Sequence, residues 1–252
     1  MSAMWAIIRK EWKSYFVTPA AYVVLALFAV IAGFFFYSML AMFVMQSLGG
    51  GGMFGRGGLD AQTMLLQPFF FDVAILLLFL LPMVTMRSYA EEARNGTLEL
   101  LKTAPVRRLE VVLGKFLAAF GLLLLLLVIT GLYVGLVAHY SRLGLKPVSA
   151  GFLGLGMLGA AFLALGLFIS SLTRNQIVAA VGTFSLFLLL WVADWVTSYG
   201  SGHIAALFSY LSITSHFRNF AQGVLDTKDI VYYLSLIVGG LFLTARRMEL
   251  AE

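Results

Sequence analysis

The residues able to do chemistry are few. The chain has three histidines (His139, His203, His216), 12 Asp and Glu residues, and no cysteine. Without a thiol there is no disulfide framework, no thiolate metal site and no Cys nucleophile. The histidines show no metal-ligand spacing, and all fall in polar segments expected at the membrane surface. Gly114-Lys115 imitates the end of a phosphate-binding loop, but position 109 is Leu109, so no opening glycine is present. The run Gly49 to Gly58 is not followed by Gly-Lys-Ser/Thr either. Asp72 and Asp194 lie near the ends of apolar runs, whereas an ion-coupled carrier needs ionisable groups near the bilayer middle. Ser and Thr inside those runs have no His or acid at matching depth, which suits helix back-bonding rather than nucleophilic catalysis. The chain is therefore expected not to be an enzyme: catalytic, cofactor-binding and metal-binding residues are none. If ATP drives it, another chain binds the nucleotide.

Composition explains this scarcity. Of 252 residues, 61% are hydrophobic and 12% charged, and mean hydropathy is +0.96. That is the composition of an integral membrane protein. The net charge of +5 is no nucleic-acid signal, because the cations cluster at the ends of apolar runs. The runs predict an all-α polytopic protein, a single transmembrane domain over 1–252, with six transmembrane helices at about 20–45, 69–86, 116–138, 148–169, 177–198 and 230–245. Residues 4–17 are amphipathic, with Trp5, Ile8, Trp12, Tyr15 and Phe16 on one face and Arg9, Lys10 and Lys13 beside it. They predict an interfacial helix, and Pro19 turns the chain into the first span. Small residues at helical spacing, Gly131/Gly135, Ala150/Gly154 and Gly156/Ala160/Ala164, permit close helix approach, although a Gly-rich helix without a special partner reads the same way. Residues 204–225 are interrupted by Ser, Thr, His216 and Arg218, and predict short re-entrant helices on the external face rather than a crossing. The 22 Phe residues are read mostly as lipid-facing or core surface, with the lining of an apolar substrate path as the alternative.

The densest charge lies between the second and third runs. Met86 to Lys115 holds six of the 17 Lys and Arg residues and four acids, Glu91, Glu92, Glu99 and Glu110. Ser88 to Arg94 favours a helix, Asn95-Gly96 signals a stop, and Thr97 can cap a second helix that Pro105 ends. In that second helix Leu98 and Leu101 share an apolar side, while Glu99 and Lys102 face water. On spacing alone these residues read as a plain connecting loop whose Lys and Arg fix topology.

The residues themselves add more. Pro82/Thr85/Met86/Arg87, then Glu91 to Leu101, then Leu113/Gly114/Lys115 form a Pro-x-x-Thr-Met-Arg opening, a Gly-Thr-Leu-Glu-Leu-Leu core and a Leu-Gly-Lys exit. Without a gap from Pro82 to Phe116, this resembles the permease subunits of type-2 ABC exporters, most closely the gliding-motility-associated branch. Ser215 to Ile237 resembles the external re-entrant pair and last-span start of the same branch. The resemblance implies that residues 88–105 contain a cytoplasmic coupling helix for an ATPase, with Glu91, Glu92, Arg94, Asn95, Gly96, Thr97, Glu99 and Leu100 as the coupling residues. It further implies two copies of an ABC ATPase subunit, which would carry ATP and magnesium, and a second permease copy or paralogue. An auxiliary periplasmic subunit, contact with membrane lipid, and residence in a bacterial cytoplasmic (inner) membrane follow from the same likeness. The transported substrate does not. Other classes compatible with the apolar runs are an ATP-independent secondary transporter or channel, and a non-transporting scaffold of a surface machine.

Charge predicts orientation. With the N-terminus inside, cytoplasmic segments carry 12 Lys and Arg and external segments five, a positive-inside bias that puts both termini in the cytoplasm. Every Glu then falls inside and every Asp outside, for which we have no physical account. A lone cysteine, Gly55→Cys, should react with a membrane-impermeant thiol reagent added from outside, and a reporter fused after Leu225 should also register outside. Labelling of Gly55→Cys from the cytoplasmic side only would reverse the topology.

Overall fold

A computed structural model of the chain describes residues 3–48, 62–96, 107–140, 144–199 and 208–250. The helices are α1 (Ala3–Val17), α2 (Ala20–Leu48), α3 (Gln67–Arg94), α4 (Arg108–Tyr140), α5 (Leu145–Leu172), α6 (Gln176–Tyr199), α7 (Ile213–Ala221) and α8 (Thr227–Leu250). A π-helical turn, Gln62–Leu66, leads into α3. There is no strand among the described residues. Six helices are long and apolar enough to cross a membrane, and the protein is a polytopic all-α membrane protein. The helices outrun the apolar runs. The second run and the expected short helix Ser88–Arg94 form one continuous helix, because nothing between Met86 and Ser88 breaks it. Likewise α4 begins at Arg108, two turns before the run that starts at Phe116, so Lys115 belongs to the helix.

The bundle is organised around α5, which touches α3, α4, α6, α7 and α8. Its glycines explain how so many neighbours fit. A Cβ on Gly159 would come within 2.6 Å of Leu123, and one on Gly166 within 2.5 Å of Thr85 Oγ1. Gly151 and Gly154 leave space for the rings of Phe70 and Phe220. From the far side Gly240 of α8 lies against the backbone of Ala164, 2.9 Å from a Cβ built there. Of the alternatives open for α5, close approach is thus the one realised. The Gly131/Gly135 pair of α4 differs: nothing lies within 4 Å of a Cβ at Gly135, and only Phe152, at 3.8 Å, at Gly131. Among the described residues, those two glycines seat no helix.

Aromatic packing fills the remaining volume. Phe162 and Phe187 stack at 4.0 Å between α5 and α6. On α2, Gly33 makes room for Tyr133 of α4, whose hydroxyl donates to Ala29 O at 2.8 Å. Where α3 and α5 begin, residues 208–211 and α7 form two short helices around Ser212, whose hydroxyl caps α7 by accepting from Ser215 N. Phe217 and Phe220 are fully buried there. His216, expected at an interface, is instead enclosed: Nδ1 lies 2.6 Å from Asp229 Oδ1 and Nε2 lies 3.1 Å from Tyr210 O. Asn219 donates to the other Asp229 oxygen at 2.7 Å. These bonds tie α7 to the first turn of α8.

Overpacking at a helix crossing costs about 1–3 kcal/mol. Gly159→Val and Gly240→Val should each lower the thermal midpoint of the purified protein in detergent, Gly240→Val more, since its neighbour is backbone and cannot turn aside. Gly135→Ala should leave the midpoint unchanged.

Candidate functional site

At the end of the bundle where α3 finishes and α4 starts, four charges meet. Lys115 Nζ is 2.9 Å from Glu11 Oε1 and 3.0 Å from Glu92 Oε2, and it donates to Ser88 O at 2.7 Å. Lys10 Nζ reaches the other oxygen of Glu92 at 2.9 Å. The Lys115 side chain is 2% exposed, and its ammonium lies 5.1 Å from the centre of the Tyr89 ring. Two cations and two carboxylates leave no net charge in the group. Such balance matters, since an unpaired ion away from water costs several kcal/mol.

Helix geometry brings these residues together. Glu11 is the one buried residue of α1, and it lies on the same side as Ile7, one turn earlier, and Tyr15, one turn later. That side rests on α4, where Gly114 admits Ile7 and Gly121 admits the indole of Trp12. Ser88 and Glu92 are likewise four apart on α3, so the carbonyl and the carboxylate approach Lys115 from one face. Burial works against the Lys10 ammonium, yet its hydrogen bond to Glu92 and the charges of Glu92 and Glu11 raise its pKa. The Tyr15 hydroxyl is pushed up by burial first and by the charge of Glu11 second.

A second tie holds the same end of α3. Ser170, fully buried near the end of α5, accepts from the backbone N–H of both Tyr89 and Ala90 at 3.2 Å and donates to Met86 O at 3.2 Å. Below it, Pro82 supplies no N–H within α3, and Thr85 bonds back to Leu81 O at 3.2 Å. A side chain set into a helix ladder above an internal proline marks a place where the helix can bend. The last turns of α3 are thus bound to α1 and α4 through charges and to α5 through Ser170.

The coupling residues expected from the sequence divide between inside and outside. Glu92 turns inward, its side chain 15% exposed. Glu91 is half-buried, while Arg94, Asn95 and Gly96 are exposed. Asn95 ends α3, its N–H bonded to Glu91 O, and Gly96 takes φ +71°, a conformation that glycine adopts without strain. Arg94 faces a groove also walled by Arg174 in the turn between α5 and α6. Thr97, Glu99 and Leu100 lie outside the described residues. Glu11, Lys115 and Ser170 carry the site but are not among the coupling residues expected from sequence, where Lys115 enters only as the end of the Leu-Gly-Lys motif. An acid on the apolar side of an amphipathic helix, and a lysine seven residues into a helix that becomes a membrane span, were the available signals.

Comparison with known families is specific. Residues 5–245 match the family model described as ABC-2 family transporter protein. No curated protein matches the chain.

Removing one partner of a buried pair typically costs about 3–5 kcal/mol. Lys115→Met should therefore destabilise strongly and release α1 to limited proteolysis, because Glu11 is left without a cation and Glu92 keeps only Lys10. The triple variant Lys115→Met/Glu11→Gln/Glu92→Gln should recover much of the loss. Equal thermal midpoints for wild type and Lys115→Met would show that the cluster does not hold α1.

Proposed function

Since the chain belongs to the ABC-2 transporter family, the membrane-spanning permeases of ABC transporters, we propose that it couples ATP hydrolysis by a separate ATPase to export or surface assembly. In this reading two ATPase subunits dock on a permease dimer at residues 91–102 of each copy. The resemblance to the gliding-motility branch supports export, an auxiliary periplasmic subunit and a bacterial cytoplasmic membrane, and the positive-inside bias supports both termini inside.

The observation that carries the proposal is the pair of ties on the end of α3. A push on the segment after Gly96 reaches α1 and α4 through Glu92, Glu11 and Lys115, and α5 through Ser170. Since α5 touches five other helices, displacement there is shared by most of the bundle. A bend above Pro82 would let the end of α3 tilt before its membrane portion does. Closure of the ATPases would then switch the bundle between two packings, each stable, rather than deform it continuously. Arg94 and Arg174, on one groove, form the docking rim, and Gly96 aims the segment that follows.

Docking and transmission separate experimentally. Glu99→Lys and Gly96→Val should weaken co-purification of the ATPase, the first by loss of a charged contact, about tenfold or more in affinity, the second by strain at positive φ. Ser170→Ala should keep ATPase association but lower substrate-stimulated turnover, and Glu252→Lys should behave as wild type. If Glu99→Lys and Gly96→Val keep wild-type association and coupled turnover, residues 91–102 are an ordinary loop.

A further inference from the structure

Beside the ion cluster, α1, α2, α3 and α4 enclose a cavity of about 340 Å³. Its walls change character along the helix axes. At the level of Met83 and Val84 they are apolar, with Val24 of α2 and Leu122 of α4 opposite. One to two turns nearer the end of α3 they are charged. Lys10, Glu11, Glu92 and Lys115 belong to that wall, and all four are paired with one another. Arg87 and Glu91 line the same cavity, and neither makes an ion pair or side-chain hydrogen bond among the described residues. Arg87 and Met83 are exposed, so the cavity reaches the surface of the bundle. The buried Ser88 hydroxyl on this wall makes no hydrogen bond of normal length and angle.

We propose that this cavity binds a zwitterionic phospholipid whose headgroup carries a primary amine, as in phosphatidylethanolamine. Arg87 holds the phosphate, for which its planar fork of donors is suited. Glu91 accepts the ammonium. The acyl chains run down Met83, Val84, Val24 and Leu122. The dimensions agree: eight residues of helix from Met83 to Glu91 cover roughly 12 Å, and the headgroup layer of one leaflet is about 5–8 Å deep. That leaves room for the first part of the chains. The charges select among headgroups. The cluster is neutral in itself, so what remains is one cation and one anion a helical turn apart. An anionic headgroup would leave Glu91 unmatched, and a choline has no N–H to give it. The proposal depends only on the chain lying in a membrane, and not on the coupling to an ATPase.

Two measurements on the purified full chain test it. In the first, native mass spectrometry follows lipid retained from detergent containing equal phosphatidylethanolamine, phosphatidylcholine and phosphatidylglycerol. Wild type should retain one phosphatidylethanolamine per chain in preference to the others by about tenfold or more. Arg87→Ala should lose retention of all three. Glu91→Gln should still bind phospholipid but no longer prefer the amine headgroup, and Arg246→Ala should match wild type. In the second, a single thiol is placed in the cysteine-free chain by Met83→Cys. Phosphatidylethanolamine should slow its alkylation, and phosphatidylcholine should not. Equal retention of the three lipids by wild type and both cavity variants would overturn the proposal. So would alkylation that is already slow without lipid and unchanged by it, which would mean that residues of the chain itself fill the cavity.

Discussion

The structure depends on one buried cation. Lys115 lies in a helix that crosses the bundle, 2% exposed and within 3.0 Å of two carboxylates from two other helices. An ammonium there is tolerable only with carboxylates beside it, and with Lys10 also on Glu92 both carboxylates are needed for the group to be neutral. The constraint therefore acts on three helices together. It fixes the rotation of α1 about its axis, because only one residue of α1 is buried. It fixes how far α3 extends, because Ser88 and Glu92 must reach the same point. It also holds α4 in register with both. Apolar packing between helices in lipid is poorly directional, and the charge cluster supplies the direction it lacks.

The two ends of the bundle solve the same problem differently. Around α7 the polar groups satisfy one another within a short stretch of sequence: His216, Asn219 and Asp229 form one network, and Tyr233 OH donates to Ile213 O. Two side chains of α7 reach back to α6: Thr214 donates to Trp191 O at 3.4 Å, and Arg218 meets Asp194 at 3.0 Å. That end is a locally closed unit. At the other end the bonds run between distant parts of the chain, from α1 to α3 and α4 and from α5 to α3. An end built from long-range ties is the end at which a displacement of one helix is felt by several.

Much of the fold was legible because long charge-free runs have one physical outcome in a membrane. The six spans, the amphipathic first helix and the stop at Asn95-Gly96 all follow from local composition. The tight seating of α5 was open, since a glycine reads the same whether it faces a helix or lipid; Gly159 meets Leu123, whereas Gly135 meets nothing. The site was less legible. Attention falls naturally on the dense polar stretch, and there Glu91 and Glu92 look alike, although one lines a cavity and the other pairs with Lys115. Glu11 and Ser170 are isolated polar residues among apolar neighbours. Their partners lie about 80 to 104 positions away, beyond the reach of periodicity or spacing.

The same separation has a consequence in time. Lys115 follows Glu11 by 104 positions, and Glu92 follows Lys10 by 82. At a synthesis rate of roughly 5–20 residues per second, α1 waits on the order of 5–20 s after emerging before its cation exists. During that interval its carboxylate has no buried partner, so the helix is held at the aqueous surface. Only when α4 leaves the ribosome can α1 take its place, so a helix made before α2 and α3 is seated after them.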